Sequence, residues 1–257
     1  MKMQPEMVEW NTSYVLWLVN TSEHRDDGLA ADISEKMRVA QEQDPENFYL
    51  AACYLEQRGK KREDVKDEAR ELAVKVLRNP VSSYNGMRKI LRVHSNYVSH
   101  DEAIALAEEA LELHPDERYL KRCAALCLKW KIIFFRDRDS HEKQSLIDRA
   151  VSLHEEVISL YPHSSFANKV DLANIHAKSN NGMDKAEQMF QDLLIMDLEP
   201  AEKQVLYNHY AKYLHFDRND RKNSIRYHMK AAEILVRSFH RANSIKVLEK
   251  TKNKSWN

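Results

Sequence analysis

Apolar residues recur along most of the chain with the 3.6-residue period of amphipathic α-helices. The clearest example is DEAIALAEEALELHP, in which Ala103, Ala107 and Ala110 share one helix face and Pro115 follows. Small residues on that face allow a second helix to approach closely, and proline cannot continue an α-helix. The segment therefore predicts a helix that packs against a neighbour and ends before Pro115.

The same template recurs along the chain. Its first positions are residues 33, 69, 103, 150, 186 and 224, which gives steps of 36, 34, 47, 36 and 38 residues. A period near ~34 residues is typical of tetratricopeptide helix pairs. We therefore predict an all-α tetratricopeptide-repeat fold, a right-handed superhelix of about six antiparallel helix pairs with a C-terminal capping helix. The template residues are Ile33, Met37 and Ala40; Ala69, Ala73 and Val76; Ala103, Ala107 and Ala110; Ala150, His154 and Val157; Ala186, Phe190 and Leu193; and Ser224, His228 and Ala231.

The predicted repeat array covers residues 1–235. Its pairs are expected at about 5–45, 46–80, 81–115, 116–162, 163–200 and 201–235. The first helices of these pairs are predicted at 8–19, 48–57, 84–97, 119–135, 166–178 and 201–215. The 47-residue step is interpreted as two lengthened helices joined by a charged loop at 136–140. Residues 236–257 are basic and are predicted to form a capping helix or a tail.

The composition argues against several classes of protein. With 4 Gly and 6 Pro, the chain is not expected to form a sheet with many hairpins or a glycine-rich phosphate loop. The Rossmann and P-loop fingerprints are absent, so no cofactor is predicted. Cys53, Cys123 and Cys127 cannot form a fully paired disulfide framework, and they supply too few ligands for zinc. No nucleophile, base and acid occur at a catalytic spacing, so the prediction is a non-enzymatic protein without a metal.

The sequence carries no recognisable address to a membrane. Its first ten residues lack the apolar core of a signal peptide, and no apolar run approaches the ~20 residues needed to cross a bilayer. The small number of cysteines suits a reducing compartment. We therefore expect a cytoplasmic protein without membrane attachment.

Charge is balanced over the whole chain but not along it. Lys+Arg and Asp+Glu are each 40, whereas residues 201–257 contain 13 basic and 5 acidic residues. Part of this excess lies among tyrosines, a combination that suits single-stranded RNA and equally a solvated repeat end. The cationic candidates for RNA binding in this region are Arg218, Arg221, Lys222, Arg226 and Lys230.

Several phrases resemble one particular family of tetratricopeptide-repeat proteins. The segments YNHYAKYLHFDRNDRKNSIRYHMKAAEI (207–234), DLANIHAKSNNGMDKAEQMFQDLL (171–194) and DPENFYL (44–50) resemble the interferon-induced proteins with tetratricopeptide repeats, the IFIT family. The resemblance covers nearly the whole chain and about the C-terminal half of a usual member. It implies a cytosolic antiviral protein that catalyses no reaction. Some members hold 5′-triphosphate or incompletely capped RNA in a basic channel, and others bind fellow members.

The resemblance also implies particular RNA contacts. Asn47 and Tyr49 fall on an Asn-x-Tyr pair of the family, and Arg88 and Arg92 fall on a channel arginine and lysine. Arg122 replaces a family histidine. Because residues four apart share a helix face, Arg88 and Arg92 could pair with adjacent phosphates. The alternatives are a solvated basic face for the two arginines, and a helix cap with a half-buried aromatic for Asn47 and Tyr49.

A protein-protein adaptor is the second functional hypothesis. Trp10, Tyr14 and Trp17 lie on the first predicted helix, which no preceding repeat covers, so they are candidates for a partner surface or for core packing. The partner would be another IFIT-family or signalling protein, in a homo- or hetero-oligomer. The N-terminal helices that close the family's RNA pocket have no counterpart in this sequence, so a half-channel is expected to hold RNA with less selection of its end.

Overall fold

A computed structural model describes residues 13–15, 27–79, 84–135 and 141–254, and all regular structure in these ranges is helical. A π-helical turn lies at His94–Val98, and a 3-10 turn lies at Pro162–Ser164. The helices are α1 (Asp27–Gln43), α2 (Phe48–Lys60), α3 (Lys66–Leu77), α4 (Tyr84–Val93), α5 (His100–Leu113), α6 (Arg118–Phe134), α7 (His141–Leu160), α8 (Phe166–His176), α9 (Met183–Leu194), α10 (Pro200–Phe216), α11 (Arg221–Glu233) and α12 (Phe239–Lys254).

The chain divides into two compact units, of which the first ends at Trp130 and the second begins at Lys131. The division falls within α6, a 17-residue helix that is followed by the 20-residue α7. The predicted lengthening of these two helices is therefore confirmed. The charged loop predicted at 136–140 lies outside the described residues.

The template positions are the packing positions of the helices. None of the template residues is more than 6% exposed, and Ala103, Ala107 and Ala110 are at most 1% exposed. A row of small or apolar side chains on one helix face removes apolar surface from water without holding the neighbouring backbone away. The predicted all-α repeat fold is confirmed, because the periodic positions coincide with the buried faces.

Two predicted helix ends differ from the structure. Pro200, expected to close a helix, is instead the first residue of α10, where its missing N–H costs no hydrogen bond. Glu199 and Glu202 form a capping box around that start. The helix predicted to continue to residue 97 gives way to the π-helical turn after Val93, and the ring of Tyr97 lies against Gly59. An added Cβ atom at that glycine would lie 2.9 Å from the ring, so only glycine fits there without a shift of the ring.

The basic segment near the C-terminus forms the helix α12. Buried polar side chains of α10 hold this helix and the segment before it. Gln204 Nε2 donates to the carbonyls of Ile234 and Val236, which precede α12, at 2.8 and 3.1 Å. Asn208 Nδ2 donates to Ser244 Oγ at 2.8 Å. Because buried amides need hydrogen-bond partners, these contacts fix the position of α12 on α10. No helix within the described ranges has both the length and the apolar character that a membrane crossing requires.

Candidate nucleic-acid interface

A cavity of about 270 Å³ lies among α2, α4 and α6 of the first unit. We call it the first-unit cavity. Four of its lining side chains are cationic, and two are aromatic. Its lining residues are Tyr49 from α2; Asn85, Arg88, Lys89 and Arg92 from α4; and Arg122, Leu126 and Trp130 from α6.

Helical spacing brings these side chains to the cavity. On α4 the pairs Asn85 and Lys89, and Arg88 and Arg92, are each separated by four positions, and on α6 successive lining residues are separated by four. Residues at those separations lie on one face of an α-helix. The expectation that Arg88 and Arg92 share one helix face is therefore confirmed. Arg122 belongs to the same cavity, and phosphate binding by these residues stays a prediction.

The start of α2 is fixed by Asn47. Its Oδ1 accepts a hydrogen bond from the Leu50 amide at 3.0 Å, and its Nδ2 donates to Asp44 Oδ2 at 3.0 Å. The interpretation of Asn47 as a helix cap is confirmed, while Tyr49, two residues later, is half-buried and lines the cavity. A direct contact of either residue with RNA stays a prediction.

A buried carboxylate lies beneath the cationic wall. Glu56 on α2 is 4% exposed, and its Oε2 lies 3.1 Å from Lys89 Nζ and 3.7 Å from Lys60 Nζ. Its Oε1 lies 3.1 Å from Arg92 Nε without the alignment of a hydrogen bond. Burial alone would raise the pKa of Glu56, but Lys89, Lys60 and Arg92 together lower it below its ordinary value. The carboxylate is therefore ionised at neutral pH.

Two arginines of the cavity have no acidic partner. Within the part of the chain that the structure describes, no carboxylate lies at ion-pair distance from Arg88 or Arg122. Arg88 is exposed, and the Nε of Arg122 is buried without a hydrogen-bond acceptor. Because a guanidinium offers several donors in one plane, these two side chains are suited to bind phosphate or carboxylate oxygens.

The cysteines near the cavity do not supply a nucleophile. Cys53, Cys123 and Cys127 are buried free thiols. Burial raises the pKa of the Cys123 thiol to about 11, so it stays protonated near neutral pH.

The cations predicted near the C-terminus do not form a single cluster. Arg218 and Arg226 line a separate cavity of about 670 Å³ in the second unit, together with the carboxylates of Glu187, Asp217 and Asp220. Arg221 and Lys222 are exposed in the first turn of α11, and Lys230 Nζ lies 4.8 Å from the ring centre of Tyr227. Arg218 also lies 3.9 Å from Asp184. The second-unit cavity is therefore mixed in charge, unlike the first.

The predicted partner surface is described only in part. Tyr14 is half-buried, and its neighbour Val15 packs in a core cluster with Ile33 and Met37. Trp10 and Trp17 lie outside the described residues. The role of all three aromatic residues as a partner surface stays a prediction.

Sequence reasoning missed several residues of the first-unit cavity. Asn85 and Trp130 have a detectable signal, because they continue the helical spacing of Arg88 and Arg122. Lys89 has the same signal, because it lies four positions after Asn85 and three before Arg92. Glu56 has none, since a glutamate in a helix is most often solvent-exposed.

Comparison with known proteins relates this chain to one group. No family model matches it. Human "Antiviral innate immune response effector IFIT1" is 28% identical over 226 residues, which are 83% of this chain and 46% of that protein. Human "Protein IFIT1 homolog B" is 24% identical over an alignment of 267 positions, which covers 96% of this chain and 53% of that protein. The chain thus spans about half the length of these relatives.

Structural comparison agrees with the sequence comparison. A solved structure of the human IFIT1 dimer with PPP-AAAA superposes with a TM-score of 0.65 and 23% identity, over 98% of this chain and 57% of that chain. At this identity the match establishes the fold. The chain therefore resembles the interferon-induced proteins with tetratricopeptide repeats over most of its length and shares the helical-repeat fold of human IFIT1.

Proposed function

We propose that this chain is an IFIT-like RNA-binding protein of innate antiviral defence in the cytoplasm, which holds single-stranded viral RNA in the first-unit cavity without catalysis. The observation that carries the proposal is the presence of Arg88 and Arg122 on the cavity wall without a carboxylate partner among the described residues. Such guanidinium groups gain most from an anionic ligand, because they give up no internal ion pair to bind it.

The cavity also offers surfaces for bases. Tyr49 and Trp130 line it beside the arginines, and aromatic side chains stack on nucleobases with little dependence on sequence. A combination of guanidinium groups and aromatic rings suits a flexible single strand, whose phosphates and bases are both accessible. The presence of PPP-AAAA in the similar IFIT1 structure supports RNA as the ligand class.

Replacement of Arg88 tests the proposal directly. We expect Arg88→Ala to weaken binding of a single-stranded RNA by about fivefold to tenfold, because one charge-assisted phosphate contact is lost. Fluorescence anisotropy with a labelled oligonucleotide at fixed salt measures this change.

Arg38→Ala is the matched control. Arg38 is also an exposed arginine of the first unit, but it pairs with Glu35 and Glu42 on α1 and does not line the cavity. Its replacement is expected to leave affinity within about twofold of the unchanged chain. Equal losses in the two variants would argue for a diffuse charge effect and against the cavity as the site.

A protein-adaptor function is supported by a different observation. Several large apolar side chains of the second unit are exposed, with Ile195 and Leu235 each 86% exposed and Phe216 and Phe239 each 70% exposed. Exposed apolar surface favours association with another protein, such as an IFIT-family relative or a second copy of this chain. Light scattering after size-exclusion chromatography should then show an oligomer that Phe239→Glu reduces to a monomer. A monomer at all concentrations would contradict self-association.

A further inference from the structure

We infer that Glu56 determines which anions the first-unit cavity binds: it occupies Lys89 and Arg92 internally, so the cavity takes the internal phosphodiesters of single-stranded RNA and gains little from a 5′-triphosphate. This inference rests on the proposed function, because it concerns the choice of ligand at the same cavity. Glu56 acts here as a positioning residue, since it contacts the cations that face the cavity.

The contacts of Lys89 show that it is held from within the protein. Its side chain is 16% exposed, and its Nζ lies 3.1 Å from Glu56 Oε2 and 5.8 Å from the ring centre of Tyr49. The Glu56 side chain is 5% exposed, so water screens this pair only weakly. Lys89 therefore has a strong internal partner that a phosphate would have to replace.

Arg92 is held less tightly but by the same carboxylate. Its side chain is 54% exposed, and its Nε approaches the second oxygen of Glu56 at 3.1 Å. A ligand that drew both Lys89 and Arg92 away would leave a buried carboxylate without its main partners. Because an uncompensated buried charge is strongly unfavourable, this exchange opposes ligands that require all four cations.

The cations that Glu56 does not contact suit a ligand with well-separated single charges. Arg88 and Arg122 have no carboxylate partner among the described residues, so they can each receive one phosphate without breaking an ion pair. An internal phosphodiester carries a single charge, whereas a 5′-triphosphate concentrates several charges at one end. Two available guanidinium groups therefore suit consecutive phosphodiesters better than a triphosphate.

The test compares two RNA oligonucleotides of one sequence, with a 5′-hydroxyl or a 5′-triphosphate. The full chain is expected to bind the two within about twofold of each other, because Arg88 and Arg122 hold internal phosphates and the other two cations are paired with Glu56. Glu56→Gln keeps the shape of the side chain and removes its charge. It is expected to bind the triphosphate RNA about tenfold more tightly than the hydroxyl RNA, since Lys89 and Arg92 are released.

A double-mutant cycle connects this gain to the released lysine. Lys89→Met is expected to weaken triphosphate binding about fivefold more in the Glu56→Gln background than in the unchanged chain. Glu63→Gln is the matched control. It also removes one negative charge, but Glu63 pairs with Arg58, and neither residue lines the cavity. Its binding of both RNAs is expected to stay within about twofold of the unchanged chain.

Thermal unfolding shows whether Glu56→Gln is folded. If it is not folded, the inference is tested with two single variants that keep Glu56. Arg88→Met should weaken RNA binding about fivefold more than Lys89→Met does. Equal losses there would overturn the inference. So would a folded Glu56→Gln without triphosphate preference, or an unchanged chain that already prefers triphosphate about tenfold. Failure of the unchanged chain to bind either RNA would overturn the proposed function as well.

Discussion

Phe190→Ala is expected to lower the free energy of unfolding of the second unit by about 3–5 kcal/mol. Phe190 is fully buried, and its ring centre lies 5.2 Å from that of Tyr210 and 5.0 Å from that of Tyr213. Removal of the ring leaves a cavity that these two large side chains cannot fill, because each is tied by its own hydroxyl. Tyr210 donates to Glu187 Oε1 at 2.6 Å, and Tyr213 donates to the carbonyl of Met183 at 3.1 Å.

Urea denaturation followed by circular dichroism measures the effect. Phe216→Ala is the matched control, since it removes the same ring from a side chain that is 70% exposed in the same unit. Its effect is expected within about 0.5 kcal/mol of zero. Similar losses for Phe190 and Phe216 would contradict the packing described for the second unit.

Asn208→Ala is expected to destabilise the second unit by about 2–3 kcal/mol and to loosen α12 selectively. Asn208 is fully buried, and its Nδ2 lies 2.8 Å from Ser244 Oγ, 3.0 Å from Asn243 Oδ1 and 3.2 Å from the carbonyl of His240. All three acceptors belong to α12. Without the amide, Ser244 and the carbonyl of His240 each lose a donor in a buried site, and α12 loses these hydrogen bonds to α10.

The histidine that contacts Ser244 is neutral at pH 7. Nδ1 of His228 lies 3.0 Å from Ser244 Oγ, and burial lowers the pKa of His228 to about 4. The loss expected for Asn208→Ala is therefore one of hydrogen bonds and packing, without a change in charge.

Hydrogen exchange resolves the local part of this prediction. Amides of α12 should lose protection in Asn208→Ala, while those of α8 and α9 keep more of theirs. Gln188→Ala is the matched control, because the amide of Gln188 is exposed and donates to Asp192 one turn later in the same helix. Unchanged protection of α12 in Asn208→Ala would show that the apolar contacts of that helix suffice to hold it.

The contrast between Phe190 and Asn208 shows how far sequence reasoning extends. Phe190 was predictable as a core residue, because it occupies the second template position of its repeat. The period of the template marks a buried helix face. Asn208 and Gln204 lie on a first helix, where a polar residue is usually solvent-exposed. Both are fully buried: α12 covers Asn208, and the segment that precedes α12 covers Gln204, so their burial depends on tertiary structure.

The candidate site follows the same division. Arg88 and Arg92 share a helix face by spacing alone, so their common cavity was predictable. The role of Glu56 was not, because its burial and its contacts with Lys89 and Arg92 require the packing of α2 on α4. The mixed charge around Arg218 was also hidden, since the acidic residues of that cavity come from α9 and from the connection between α10 and α11.

The salt dependence of RNA binding tests the central claim that Arg88 and Arg122 neutralise phosphates in the first-unit cavity. The affinity of the unchanged chain and of the double variant Arg88→Ala/Arg122→Ala is measured between about 50 and 200 mM salt, where single strands give a log–log slope of about −0.7 for each neutralised phosphate. The log–log slope of affinity against salt should be about 1.4 more negative for the unchanged chain than for the double variant. Identical slopes, or binding by the unchanged chain that does not respond to salt, would contradict the account.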